Sequence, residues 1–251
     1  EFQSILGDGF GEQSGTPQNE EGIYLGLQHA IGEKVTLSAY MDQFRFPAAR
    51  FGTHQPTSGY DWLVRAEAEF NRRLEVYLQL RSQTKEEEFE VLDELGRSRR
   101  KLGEERRSGI RANVEYWVNS TIRLRTRAEW IRSRQAGQEA ESGYLLYQDL
   151  RLLLFDNLKV DARITVFDTD SYASRVYQFE NDLLYVFGSQ VLFDRGQRMY
   201  LLINYEPFSF IEFWAKAGLT KYEDQQLIGS GLNEIEGDTR SEFGLQLRLK
   251  F

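Results

Sequence analysis

The chain has 251 residues, 41% apolar and 14% aromatic, with four prolines, no cysteine and a formal net charge of -8. The lack of cysteine excludes a disulfide framework and thiolate metal sites, and the acidic balance argues against nucleic acid as a partner. No apolar run reaches the roughly 18 residues that a membrane helix needs, so this chain can satisfy its backbone in lipid only as a closed set of strands.

The elements follow a period of two almost throughout. Segments 23–31 and 35–45 read as strands around the turn Gly32-Glu33-Lys34, with His29 in the outward phase of Leu25 and Leu27. After a long loop at 46–58, Tyr60, Trp62, Val64, Ala66, Ala68 and Phe70 face one way, and Asp61, Arg65, Glu67 and Glu69 the other. Leu74, Val76, Leu78 and Leu80 alternate with Glu75, Tyr77, Gln79 and Arg81. A charged loop is expected at 84–106. Its acidic arm (Glu86, Glu87, Glu88, Glu90) should fold back at Asp93-Glu94-Leu95-Gly96 onto a basic arm (Arg97, Arg99, Arg100, Lys101, Arg106, Arg107) and neutralise it. Alternation resumes at 110–118 and again at 122–130, where Ile122, Leu124, Thr126, Ala128 and Trp130 oppose Arg123, Arg125, Arg127 and Glu129. Segments 143–154, 158–166 (with Arg163), 175–186, 198–205 and 210–220 (with Glu212) complete the interior of the chain.

The last strand is the clearest. Phe243, Leu245, Leu247, Leu249 and Phe251 share one face, Gln246, Arg248 and Lys250 the other, and the chain stops on an aromatic residue. One face suits lipid and the other water, as in an antiparallel transmembrane β-barrel of an outer membrane. That terminal ladder is also the expected recognition signal for the barrel-assembly machinery. Short turns at Asn71-Arg72-Arg73, Asn119-Ser120 and Asp156-Asn157 alternate with long loops at 46–58, 84–106, 133–142 and 221–238, which should lie outside the cell. About twelve strands are visible, and parity requires one more. The stretch 174–197 supplies it if 175–180 and 184–192 are separate strands turning at Asn181-Asp182. The strand at 23–31 then runs towards the periplasm and residues 8–20 form an external loop that another strand precedes, about fourteen in all. The whole chain is expected to form a single barrel domain, complete or as the C-terminal part of a longer chain with further strands or subunits. A start at Glu1, without Met or leader, fits a processed protein or a piece of a larger one.

The stretches LSAYMDQFRFPAARFGTHQPTSGYDWL (37–63), GYLLYQDLR (143–151), FDTDSYASRVYQFENDLLY (167–185) and IGSGLNEIEGDTRSEFGLQLRLKF (228–251) resemble the C-terminal β-barrel region of an outer-membrane protein family of diderm bacteria. Some of its members carry an N-terminal helix-hairpin-helix segment. The resemblance implies a barrel that extends upstream, and carries no catalytic or ligand residue with it.

The inward phase places Arg65, Glu67, Arg123, Arg125, Arg127, Glu129, Arg163 and Glu212 in the lumen, with Glu180 and Asp182 also inward. Such residues either line a selective pore, the 123-125-127 arginines drawing anions, or pair across strands and hold the barrel shut. Mixed signs at close quarters favour pairing. Asp168-Thr169-Asp170 and the run 233–238 offer oxygen ligands without EF-hand spacing, so neither a metal nor another cofactor is expected. His29 and His54 are the only imidazoles, and no GxSxG elbow accompanies them. The expected function is a pore, transporter or membrane anchor of a larger assembly, in contact with outer-membrane lipid and lipopolysaccharide. An outer-membrane phospholipase-like enzyme and a soluble β-sandwich or lipocalin-like binder are the competing readings.

Overall fold

The structure, a computed structural model, describes residues 20–49, 52–92, 96–229, 231 and 234–251. Fifteen strands follow in chain order: β1 (Glu21–Ile31), β2 (Val35–Phe46), β3 (Thr57–Asn71), β4 (Leu74–Leu92), β5 (Ser98–Trp117), β6 (Ile122–Gln135), β7 (Glu141–Phe155), β8 (Leu158–Thr169), β9 (Val176–Glu180), β10 (Gly188–Leu192), β11 (Arg195–Phe208), β12 (Ile211–Tyr222), β13 (Leu227–Ile228), β14 (Ile235–Glu236) and β15 (Thr239–Leu249). Among the described residues, eleven share one sheet in the order β1 to β8, β11, β12, β15, whereas β9 pairs only with β10 and β13 only with β14. The short turns form for local reasons. Asn71 Oδ1 accepts from the Arg73 amide at 2.8 Å, and Asn119 Oδ1 accepts from the amides of Thr121 and Ile122 at 2.9 and 2.8 Å, so each side chain completes its own turn.

The chain divides into two compact units. The first comprises Glu1–Ala66, Gln79–Gly109 and Arg132–Ala140. Here β1 and β2 pair without a register shift from Glu21↔Arg45 to Ile31↔Val35. The charged stretch 84–106 is strand for most of its length, so the expected fold-back is an extension of β4 and β5. Its turn residues Asp93, Glu94 and Leu95 lie outside the described residues, and Gly96 takes a φ of 74° that a side chain would resist. The neutralisation runs through more partners than the two arms: Lys85 bonds Glu105 at 3.2 Å, but Glu88 bonds His54 and Glu86 bonds Ser58.

The second unit comprises Glu67–Leu78, Ile110–Ile131 and Glu141–Phe251. Its sheet has an apolar exposed face bearing Leu146, Ile164, Val166, Met199, Leu201, Phe213 and the terminal ladder Phe243, Leu245, Leu247 and Leu249. The buried residues lie on the other face. That inversion is the pattern of a sheet whose outer solvent is lipid. Replacing Leu247 with Asp is therefore expected to destabilise the barrel in a bilayer, by less than the roughly 2–4 kcal/mol of an arginine at the bilayer midplane. The variant should lose the heat-modifiable gel migration of a folded barrel, while Gln246→Asp on the opposite face should keep it.

One sequence expectation needs correcting. The stretch 174–197 does contain two short strands, but neither joins the wall. β8 pairs directly with β11, from Arg195↔Asp168 to Tyr205↔Leu158, and β9-β10 is a separate hairpin with register Gly188↔Glu180 to Leu192↔Val176. Subtracting a wall strand changes parity as adding one does, so β1 and β15 still run in the same direction along the sheet order.

Candidate functional site

The site is the buried, charged face of the second unit together with the hairpin that covers it. The hairpin leaves the wall through the FDTDSY stretch. Phe167 is fully buried, and the Thr169 amide donates to Asp194 O at 2.9 Å while the Asp194 amide donates to Thr169 Oγ1 at 2.8 Å, which ties the two ends of the excursion together. Asp170 Oδ2 accepts from the Ser142 amide at 2.7 Å, and Ser171 caps the short 3-10 turn Tyr172–Ser174. A side chain at Gly143 would overlap the Ser174 carbonyl, so glycine is required where the turn crosses β7. These contacts explain the motif as the base of the hairpin.

Apolar contacts then seat the hairpin. Val176 and Leu192 pack with Ile131, Leu145, Tyr147, Phe167 and Tyr222, and Leu183 and Leu184 pack against Tyr200, Leu202 and Trp214. Leu183 also fits over Gly244 of β15, where a methyl group would come within 2.9 Å of it.

Charge completes the junction. Glu180, with no exposed side-chain surface, receives Arg198 Nε at 2.6 Å and Nη2 at 2.9 Å. Lys216 Nζ lies 3.4 Å from Glu180 and 2.6 Å from Asp182. Arg163 Nη1 donates to Phe179 O at 2.6 Å, Arg127 donates to Tyr177 O at 3.4 Å, and Thr165 donates to Gln178 at 2.8 Å. Wall cations thus meet hairpin carboxylates and carbonyls. Glu180 and Asp182, expected on the wall, belong instead to the group that covers it.

The remaining expected residues are ion-paired in place. Arg123 approaches Glu115 at 3.4 Å and stacks over Trp117. Arg125 reaches Asp149 at 2.5 Å, and Asp149 also takes Arg163. Glu129 bonds Arg127 and, at 3.0 Å, Arg111. Glu212 takes Arg248 and accepts from Asn204 at 2.9 Å. Arg65 and Glu67 are half-buried, each with its own partners. The arginine ladder therefore has carboxylate neighbours, as sign mixing predicts. Sequence reasoning missed Arg198, Tyr147, Tyr200 and Glu242. Arg163 lies 3.9 Å above the Tyr147 ring and 5.5 Å from that of Tyr200, and Glu242, from the TRSE stretch, bonds Arg198 at 3.0 Å. The alternation of Met199, Leu201 and Ile203 on the outward phase would have placed Arg198 inward.

His29 lies exposed on β1. His54 Nδ1 contacts Glu88 at 2.9 Å and Arg100 at 3.3 Å, while Ser58 Oγ donates to a different carboxylate, Glu86, at 2.8 Å. Among the described residues no group of three metal-ligating side chains occurs, and Asn233 of the run 233–238 lies outside them.

No family model and no curated protein matches the chain. Solved structures do. A mutant of the ferric enterobactin receptor PfeA from Pseudomonas aeruginosa matches with a TM-score of 0.56 at 10% identity, over 81% of this chain and 33% of that one. The ferric-catecholate import receptor Fiu from E. coli K12 matches with 0.53 at 9% identity, over 91% and 49%. The siderophore receptor PirA from Acinetobacter baumannii matches with 0.50 at 9% identity, over 92% and 48%. The chain thus spans about a third to a half of the structures it resembles. At such identities the likeness concerns fold alone. With the inverted burial of its strands, it makes this chain an all-β, antiparallel transmembrane β-barrel protein of the outer-membrane class.

Proposed function

We propose that the protein is an outer-membrane channel held shut by its own hairpin, that the charged face is the lumen, and that the solute it admits is anionic. The observation that carries this reading is the fully buried Glu180 bridging Arg198 and Lys216. The hairpin presents only acceptors to Arg127, Arg163, Arg198 and Lys216, namely two carboxylates and two backbone carbonyls. Removing the hairpin takes both of its carboxylates from Lys216 and one acceptor residue each from Arg127, Arg163 and Arg198, which keep Glu129, Asp149 and Glu242 on the wall, so what takes its place should restore negative charge. An anion does so. The FDTDSY and TRSE stretches support grouping the chain with the outer-membrane family it resembles, since both build this junction.

Planar-bilayer recording tests the reading. The purified protein is expected to give rare, small openings, and sustained high-conductance openings without any partner would overturn it. In whatever openings occur, Arg125→Glu should shift the reversal potential towards cation selectivity, since a narrow lumen's field follows its lining charge.

A further inference from the structure

The first unit carries a second charged feature, on the opposite side of the strands from the lumen phase. Along β6 the exposed phase runs Ala128, Trp130, Arg132, Arg134, and along β5 it runs Val114, Ala112, Ile110, Ser108, Arg106. Each strand therefore passes from apolar residues to arginine on one face. On β6 the change comes just after Trp130, the kind of residue that marks a membrane interface. Arg106, Ser108, Arg132 and Arg134 together line a cleft of about 380 Å³. Ser108 forms its floor, its hydroxyl 2.8 Å from that of the buried Ser82.

The three guanidiniums are exposed, and among the described residues none has a carboxylate or hydrogen-bonding partner. This sets them apart from the lumen arginines described above. Strand phase accounts for it in Arg106: its neighbour Glu105 points the other way, to Lys85. Three unpaired cations, on strands whose outward phase is otherwise largely apolar in sequence, fit a ligand with anionic groups and acyl chains. Arginine's planar fork matches phosphate oxygens bidentately, and basic clefts at a bilayer's edge are suited to phosphorylated head groups.

We propose that Arg106, Arg132 and Arg134, with Ser108, form a binding site for the phosphates of an outer-leaflet glycolipid. The proposal rests on the outer-membrane fold and is independent of whether the lumen is occluded.

Native mass spectrometry of the detergent-purified protein, titrated with bis-phosphorylated lipid A, tests it. The wild type is expected to retain lipid A, and Arg106→Gln/Arg132→Gln/Arg134→Gln to retain at least about tenfold less, a difference of about 1.4 kcal/mol. Heat-modifiable migration of the variant keeps a loss of binding distinct from a loss of the barrel; if the triple variant does not fold, Arg132→Gln and Arg134→Gln singly, assayed the same way, should each lower retention. Dephosphorylated lipid A should bind the wild type as weakly as the variant binds the phosphorylated form. Equal retention by a folded variant, equal binding of dephosphorylated lipid, or displacement of lipid A by an equal concentration of inorganic phosphate would overturn the proposal. The last of these would assign the cleft to a soluble anion.

Discussion

Excising residues 176–192 and joining Arg175 to Phe193 by a short glycine-serine linker is expected to raise single-channel conductance by roughly an order of magnitude and make the pore anion-selective. The wall should survive the excision. β8 and β11 already pair with each other from Arg195↔Asp168, and the Thr169–Asp194 hydrogen bonds that close the base stay in the protein. Selectivity should follow from what is uncovered: Arg127, Arg163, Arg198 and Lys216 lose the hairpin's acceptors, while Glu129, Asp149 and Glu242 remain among them. A deletion variant that migrates as a folded barrel yet conducts no better than the wild type would sink the plug reading.

The second large effect is on stability. Glu180→Ala should destabilise the protein by about 3–5 kcal/mol, because Arg198 and Lys216 would stay buried with one carboxylate fewer between them. Adding Arg198→Met should recover part of the loss, since an apolar side chain of similar length removes the uncompensated charge. The contrasting pair is Lys250 and Glu206, 2.6 Å apart but 39% and 37% exposed, whose removal by Lys250→Ala should cost no more than about 1 kcal/mol. Denaturant unfolding in detergent micelles would rank the three. Equal midpoints for Glu180→Ala and Lys250→Ala would show that the hairpin is not anchored by charge.

The wall was legible from sequence because its signal is local. In 122–130 every second residue is arginine or glutamate, and a strand has no other way to sort them. That each arginine of the ladder would have a carboxylate neighbour followed from sign mixing, whereas the particular partners, Asp149 for Arg125 and Glu129 on the same strand for Arg127, did not. The hairpin was legible only as strand. Val176, Gln178 and Glu180 alternate with Tyr177 and Phe179, which reads equally well as a wall strand with a polar lumen side. Alternation fixes which residues share a face and is silent about which strand lies alongside. What distinguishes β9 is its length, 5 residues against 12 in β8, too short to cross a bilayer at the roughly 9–11 that a tilted strand needs. The outward arginines were hidden for a different reason: Arg106 belongs to the mixed-charge run Glu104-Glu105-Arg106-Arg107, and only strand phase separates it from neighbours that are paired.

Three of the hairpin's polar contacts with the wall span a short stretch of chain, whereas those to Arg127, Lys216 and Gln246 span longer ones. Arg163 and Phe179 are 16 residues apart, Thr165 and Gln178 are 13, and Glu180 and Arg198 are 18. Contacts this close in sequence form early, since little chain entropy is lost in closing them. The β8-hairpin-β11 segment can therefore seat its hairpin as a local folding unit, before more distant strands arrive. If the hairpin is the plug proposed above, a nascent sheet growing in this order encloses no open conduit, and the cell would be spared a leak at the moment of insertion. The envelope's permeability barrier would then be protected by the order in which the chain folds, before any gating begins.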